Sequence, residues 1–508
     1  MLLIFPPVAK PCEPPAGIVQ LAAALHSRGL PCRVLDANLE GLLWLLEQPC
    51  SADDTWSRRA AKGRARHLAD LRSGDLYRSP DRYSRAVRDL NRLLAVAGQA
   101  GSAVVGLADY QHAHLSPLRS ADLLFAAQHP EQNPFYPWFS AGFEAWLDGI
   151  ATVGFSLNYL SQALTTFAMI GLVRKRFPSL RIVLGGGLVT SWLRQPGWQN
   201  PFGGLVDHLI AGPGEIPLLE LQGSAAPDQG RVRPDYTLLP MGDYLAPGFI
   251  LPYATAGGCY WNNCSFCPER AEGNRYTPLP VGEALADLHA LATHTKPVLL
   301  HLLDNALSPA FLRALAADPP GVTWYGFARF GRELADPDFC QALKRSGCVM
   351  LKLGLESGDQ GVLDRLHKGI DIGEASKVLR NLQAAGIGVY LYLLFGTPAE
   401  TEAEARHTLE FVVRHHEAIT FMNLALFNMP ICGDEAAGYG IDPFYEGDLS
   451  LYTAFRHPNG WDRKQVRGFL DKEFKRHPAV GAIMRNDPPL FTSNHAAFFV
   501  GRAGGLRR

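Results

Sequence analysis

The chain has 508 residues, 47% of them hydrophobic and 19% charged, and a formal net charge of −1. That length is a prior for two or three domains with sizeable cores, and the composition is that of a folded globular protein, which excludes a disordered chain. The charge balance gives no ground for bulk binding to nucleic acid or an anionic membrane. No apolar run approaches the roughly 18 residues of a membrane helix, so neither a membrane nor a nucleic-acid partner is expected. The start, Met1-Leu-Leu-Ile-Phe-Pro-Pro, lacks a basic n-region and a small-residue cleavage site, and reads as a buried strand. Nine cysteines, odd in number and thinly spread, make a poor disulfide framework and fit a reducing, cytoplasmic setting.

Taken in chain order, the N-terminal region alternates strand and helix. Leu2 to Phe5 is an apolar strand; Ile18, Leu21, Ala22 and Leu25 recur at helical spacing before Gly29; Cys32 to Leu35 is a second strand. A charge-rich helical stretch from about Ser51 to Leu94 follows, with Arg-rich and Ala-rich faces. The strand–helix rhythm then returns with Thr152–Leu157, a helix to about Arg176, strand Arg181–Leu184, the turn Gly185-Gly186-Gly187, strand Asp207–Ala211 and Gly212-Pro-Gly214-Glu215. This is the pattern of a doubly wound, Rossmann-like parallel sheet over 1–222, carrying a helical insertion at about 51–145. Residues 223–247 are rich in Gly, Pro and polar groups and read as a linker.

Six apolar strand candidates separated by helices come next: Phe249–Ala256, Pro297–Leu303, Val322–Ala328, Val349–Leu355, Gly388–Phe395 and Ile419–Phe427. Six βα units make a partial (β/α)6 barrel over 248–437. The rhythm breaks in 438–508, expected as a C-terminal cap that includes Trp461-Asp-Arg-Lys464 and Phe491-Thr-Ser-Asn494-His495. The expected fold class is therefore α/β throughout.

The chemistry concentrates in Gly257-Gly258-Cys259-Tyr-Trp-Asn-Asn-Cys264-Ser-Phe-Cys267-Pro, a loop directly after a strand. Thiolates are the soft ligands that iron–sulfur clusters and zinc prefer. A cubane held by three cysteines keeps one iron free of protein, and the amino and carboxylate groups of S-adenosylmethionine (SAM) can chelate it. A structural zinc would want a fourth nearby ligand; the next cysteine is Cys340, and His289 and His294 fall in a helix. Polar groups also gather at the strand ends, where β/α barrels keep their functional residues: Asp304-Asn305, Arg329, Glu356-Ser-Gly358, and Gly396-Thr-Pro398 followed by Glu400-Thr401. Polar loops alone would account for any one of these, less well for two carboxylates and a guanidinium beside a cysteine loop.

The cysteine loop, with Phe266 before its last cysteine, resembles the signature of radical SAM enzymes, although its spacing is C-x4-C-x2-C where C-x3-C-x2-C is usual. Glu356-Ser-Gly, Val362-Leu-Asp-Arg-Leu-His-Lys368-Gly, Ala385-Gly-Ile and Phe395-Gly-Thr-Pro-x-Glu-Thr401 are similar to the subgroup containing cobalamin-dependent enzymes and methylthiotransferases. The resemblance implies that Cys259, Cys264 and Cys267 ligate a 4Fe–4S cluster and that Glu356 hydrogen-bonds the SAM ribose. It implies that Arg329 lies near the SAM carboxylate and that Gly396 and Pro398 shape the turn under the adenine. Asp304 falls where the family places a group for the methionine amine, usually a Gly-Gly-Glu segment, which is absent here.

Phe5-Pro6-Pro7, Pro14-Pro15-Ala-Gly17-Ile, Gly185-Gly186-Gly187 and Gly212-Pro-Gly214-Glu215 resemble the cobalamin-binding domain fused to many radical SAM enzymes. The lower-ligand motif Asp-x-His-x-x-Gly is missing; Asp36-Ala-Asn38-Leu-Glu-Gly41 has Asn at the histidine position. Cys12, Cys32 and Cys50 would make a second cluster only if Cys32 left its strand. Cys348 reads as core and Cys432 as a structural thiol near the barrel mouth. The expected activity is reductive SAM cleavage, with cobalamin-dependent methyl transfer to an unactivated centre of a small-molecule or peptide substrate. The electron would come from an external donor such as flavodoxin or ferredoxin. The alternatives are a cobalamin-independent radical SAM enzyme performing C–S insertion or rearrangement, and a non-enzymatic iron–sulfur or zinc-binding regulator.

Overall fold

The computed structural model describes residues 1–500 apart from 53, 225–231, 434, 435, 437, 443–445 and 490–494. The chain forms two compact units. One comprises Met1–Phe249 with Tyr445–Leu451 and Pro488–Ser493; the other comprises Ile250–Phe444 with Tyr452–Asp487 and Asn494–Arg508. Part of the linker 223–247 and the tail run 491–494 lie outside the described residues.

The first unit runs β1 (Leu2–Ile4), α1 (Ala16–His26), β2 (Arg33–Leu35), α2 (Ala37–Glu47), α3 (Thr55–Leu71), α4 (Pro80–Gly98), β3 (Ala103–Val105), β4 (Tyr110–His112), α5 (Ser120–Gln128), α6 (Tyr136–Trp146), β5 (Thr152–Ser156), α7 (Leu160–Arg176), β6 (Arg181–Gly185), α8 (Gly187–Leu193), β7 (His208–Leu209) and α9 (Glu215–Leu221). Its main sheet is parallel with order β2-β1-β5-β6-β7. The chain steps outward from β1 to β2, then returns to the other side of β1, so the switch point lies between β1 and β5, as a doubly wound sheet requires. α7 is buried on all sides from Gln162 to Val173, which is why its sequence is apolar without a clear stripe. The charged helical stretch forms two helices: the chain turns at Arg72–Ser79 and restarts with Pro80 at the first helical position, where its missing N–H costs nothing. Arg92–Asp54 (2.8 Å) and Arg82–Asp70 (3.7 Å) tie the pair together.

The second unit contains β8 (Ile250–Tyr253), β9 (Ala256–Gly257), α10 (Pro268–Ala271), β10 (Thr277–Pro278), α11 (Val281–Thr295), β11 (Leu299–Leu302), α12 (Pro309–Ala317), β12 (Trp324–Ala328), α13 (Pro337–Arg345), β13 (Cys348–Glu356), α14 (Gln360–Arg365), α15 (Ile372–Ala385), β14 (Gly388–Phe395), α16 (Glu402–Arg414) and β15 (Phe421–Leu426). β16 (Met429–Pro430), β17 (Ile441–Asp442), β18 (Tyr452–Phe455), α17 (Arg463–Phe469) and α18 (Pro478–Met484) complete it. All six expected barrel strands form, pairing in parallel in the order β8-β11-β12-β13-β14-β15. Strands of this kind are buried on both faces, so they read as continuous apolar runs. Their C-terminal ends share one edge, and the loops leaving that edge carry the candidate site.

Candidate active site

The cysteine loop is an excursion between β9 and β10, which pair antiparallel with Gly257 opposite Thr277. Asp304, buried just after β11, accepts the Thr255 backbone N–H at 3.0 Å and the Thr255 hydroxyl. It thereby holds the residue from which the loop departs. Beyond it, Trp261 Nε1 donates to the His367 carbonyl at 3.0 Å and Ser265 N donates to the Leu366 carbonyl at 3.1 Å. The loop is thus stitched to the segment between α14 and α15. That fit is close enough to demand glycine at 369: its φ is +63°, and a Cβ there would sit 2.1 Å from the Trp261 ring.

Arg329, just past β12, joins the same cluster of contacts. Its guanidinium lies 4.4 Å from the Trp261 ring centroid, donates from Nη1 to Cys264 Sγ at 3.9 Å and from Nη2 to the Lys368 carbonyl. Cys264 is buried and Cys259 and Cys267 are half-buried. Burial pushes the Cys267 thiol up, while the backbone N–H groups of Arg270 and Glu269, bonded to it, act the other way. N–H groups aimed at sulfur suit a thiolate that ligates iron, because such bonds spread the charge of an iron–sulfur cluster. Among the described residues no three His, Cys, Asp or Glu side chains converge to hold a single metal ion. A cubane asks for no such convergence, since each cysteine takes its own iron.

Glu356 ends β13 with φ +69°, at a register shift against β14. Its Oε1 meets Lys368 Nζ at 2.7 Å, with side-chain exposures of 12% and 8% for the pair. The Lys368 ammonium also lies 5.4 Å from the Phe266 ring. Phe266 in turn packs on Phe427, Met429 and Ala436. So Glu356, Arg329 and the cysteine loop, far apart in sequence, meet around residues 366–369. The sequence reading assigned no role to Lys368 or Trp261. The only signal for them was the His367-Lys368-Gly369 run, whose partners are set by tertiary contact.

Gly396 directly follows β14 with φ +77°, and its N–H donates to Glu400 Oε2 at 2.6 Å; Pro398 is buried in the same turn. Burial pushes the Glu400 carboxyl up to about 7, against the bonds from Gly396 and from Trp461. Cys348 lies buried in β13 and Cys432 follows β16, and burial raises both thiols.

In the first unit, the glycine turns lie at the C-terminal edge of the sheet. Gly186 has φ +111°, and a Cβ there would meet the Leu157 carbonyl oxygen at 2.4 Å. Gly185 closes β6, the Gly187 N–H donates to Asn158 Oδ1 at 2.9 Å, and Gly212 and Gly214 flank the turn before α9. A Cβ at Gly212 would enter open space, while one at Gly214 would meet Leu21. Across the switch point Gln162 Nε2 donates to the Pro6 carbonyl at 2.7 Å and Ser161 Oγ to the Val8 carbonyl at 2.8 Å. Beside these loops Tyr159 (56%), Leu160 (36%) and Ile216 (48%) expose apolar surface. Asp36 and Asn38 are buried and committed within the fold: Asp36 accepts from Leu39 N and from the Tyr244 hydroxyl, and Asn38 from Ala9 N. Among the described residues no helix is long and apolar enough to cross a membrane.

Residues 253–412 match the model of the Radical SAM superfamily. The chain carries a radical SAM domain, and the cysteine loop and the ends of β11 to β14 all fall inside or at the edge of the match. Over nearly its whole length it shares a fold with the radical SAM methyltransferase TsrM of Kitasatospora setae. Against the structure with tryptophan substrate and a SAM analogue, TM-score is 0.52 at 16% identity, covering 87% of this chain and 78% of that one. Against the structure with cobalamin and a [4Fe-4S] cluster, TM-score is 0.51 at 16% identity, covering 86% and 74%. The uncharacterized methyltransferase PH0819 of Pyrococcus horikoshii is 24% identical over 272 residues, 45% of this chain and 57% of that one. The chain therefore spans little more than half the length of that curated relative.

Proposed function

We propose that this chain is a cobalamin-dependent radical SAM methyltransferase acting on a small-molecule or peptide substrate, with an external protein such as flavodoxin or ferredoxin supplying electrons. The observation that carries the reading is the convergence of the cysteine loop, Arg329 and the Glu356–Lys368 pair on one strand edge. When bound, the cluster with SAM supplies a 5′-deoxyadenosyl radical and cobalamin a transferable methyl group. Cys259, Cys264 and Cys267 hold the cluster, and Arg329 and the backbone N–H groups at Cys267 temper the charge on its sulfurs. Glu356 accepts ribose hydroxyls, oriented by Lys368. The Gly396–Pro398 turn lies under the adenine, and Asp304 fixes Thr255 at the root of the cysteine loop. In the first unit exposed Tyr159 and Leu160 after β5 and Ile216 in α9 offer apolar surface to a flat corrin ring, and Gly185, Gly187, Gly212 and Gly214 let backbone approach the cofactor closely. The fold shared with a cobalamin-carrying methyltransferase supports the same assignment.

The test is anaerobic reconstitution with iron, sulfide and hydroxocobalamin. Given SAM and a low-potential reductant, the wild type should retain both cofactors and release 5′-deoxyadenosine, and each single Cys→Ala variant should lose SAM cleavage. Cobalt should carry no histidine from the protein on its lower face, since the sequence lacks Asp-x-His-x-x-Gly. In the Co(II) electron paramagnetic resonance spectrum, nitrogen splitting that vanishes on mutating a histidine would refute this. Intact SAM cleavage without retained cobalt would favour a cobalamin-independent enzyme, and wild-type cleavage by a Cys→Ala variant would sink the cluster assignment.

A further inference from the structure

The turn after β14 is held by residues from well beyond the barrel repeat. Trp461 Nε1 donates to Glu400 Oε2 at 3.0 Å, the same oxygen that accepts the Gly396 N–H at 2.6 Å. His457 Nδ1 accepts the N–H groups of Asn459 and Trp461, both at 3.2 Å, which leaves Nε2 as the protonated nitrogen, donating to the Thr397 carbonyl at 2.8 Å. Val466 of α17 stands 3.1 Å from where a Cβ on Gly396 would be. His457 and Trp461 are themselves buried, as are Thr397 and Glu400. The turn at 457–461 therefore grips both ends of the 396–400 turn. The grip is incomplete in one respect: among the described residues Glu400 Oε1 and Thr397 Oγ1, both fully enclosed, have no hydrogen-bond partner.

We infer that His457 and Trp461 are positioning residues for SAM, a latch that sets the Gly396–Pro398 turn through Glu400 and Thr397. This rests on the reading that SAM lies against that turn. A carboxylate binds two N–H donors more strongly ionised than protonated, so the latch is tightest when Glu400 is charged. Burial raises that carboxyl to about 7, and the sign follows: the latch loosens, and SAM affinity falls, as pH drops through about 7. The charged groups facing Glu400 are already committed. Glu404 bonds Thr401 and Arg365, Asp359 pairs with His407, and His457 is fixed as described. Removing the indole takes away a donor that favours ionisation, so the midpoint should move up.

The experiment is SAM binding to the cluster-loaded protein by equilibrium dialysis from pH 6 to 8.5. Trp461→Phe should raise the dissociation constant about fivefold to tenfold at neutral pH and shift the midpoint upward, with the cluster absorption unchanged. Trp461→His, which keeps a ring N–H, should restore part of the loss. Glu400→Gln should bind weakly at every pH, with no midpoint. A Trp461→Phe protein that binds like wild type across the range, while Glu356→Gln binds poorly, would overturn the latch and leave the SAM site standing. Unchanged binding in both would remove the SAM assignment itself, and the latch with it.

Discussion

At the scale of single residues, the decisive feature is a buried ion pair at a strained backbone position. Glu356 occupies the left-handed region at φ +69° without being glycine, a conformation that costs roughly 1–3 kcal/mol and persists only where surroundings over-determine it. Lys368 at 2.7 Å and the pairing of Glu356 opposite Leu393 of β14 are two such constraints. Glu356→Gln keeps the shape and removes the charge. Charge-assisted hydrogen bonds are worth roughly 1.5–3 kcal/mol each, so the SAM dissociation constant should rise at least about tenfold while cluster absorption persists. Unchanged affinity would mean that the carboxylate points elsewhere. Lys368→Met asks a different question. It strands a buried carboxylate, which costs roughly 3–5 kcal/mol. Urea unfolding should show that loss, and the double variant with Glu356→Gln should recover part of it. Additive losses would show that the two groups are not coupled.

At the scale of elements, the cysteine loop owes its shape less to its own sequence than to the segment 366–369 that receives it. Gly369→Ala drives a methyl group into the Trp261 ring, so the loop must shift while the sheet beneath is untouched. Reconstituted protein should hold clearly less iron and sulfide than wild type, with a far-ultraviolet circular dichroism spectrum that matches it. Full iron loading would show that the loop accommodates the methyl group. The contrast between loop and sheet also marks what the sequence could disclose. The six barrel strands were legible because strands buried on both faces must be apolar runs, and the runs end in Asp304, Arg329 and Glu356. The break at Arg72–Ser79 carries its own signals, Ser73-Gly74-Asp75 as a turn and Ser79-Pro80 as a restart, but the charge-rich sequence on either side masks them. The short hairpin of β3 and β4 went unseen, having three residues per strand and no alternating pattern. Lys368, Trp261 and Trp461 were invisible as site residues, because their partners lie about 12 to 106 positions away in the chain.

At the scale of the molecule, the first unit is not finished where its sheet ends. Residues 445–451 belong to it: Leu449 N donates to the Leu118 carbonyl at 2.9 Å, Ser120 N to Asp448 Oδ1 at 2.8 Å, and Gln195 Nε2 to the Ser450 carbonyl at 3.0 Å. Leu449 is buried. A chain cut after residue 437 should therefore lose stability in the first unit as well as in the second. Hydrogen exchange read by mass spectrometry should show faster exchange around 118–120 and 195 than in the full chain, and protection that stays the same would show that the segment contributes nothing there.

That borrowed segment has a consequence for the order of events during synthesis. A domain usually folds as its own residues leave the ribosome. Here the sheet of the first unit can pair once β7 has emerged, yet its last contacts arrive only after the whole barrel repeat has been made. At roughly 5–20 residues per second that interval lasts on the order of 10–50 s. Through it the nascent first unit exposes the surface around Leu118 that Leu449 later covers. The chain therefore cannot be divided into two exchangeable cassettes at residue 249: a graft of 1–249 alone would carry that opening permanently, and a chaperone that shields it has a defined window in which to act.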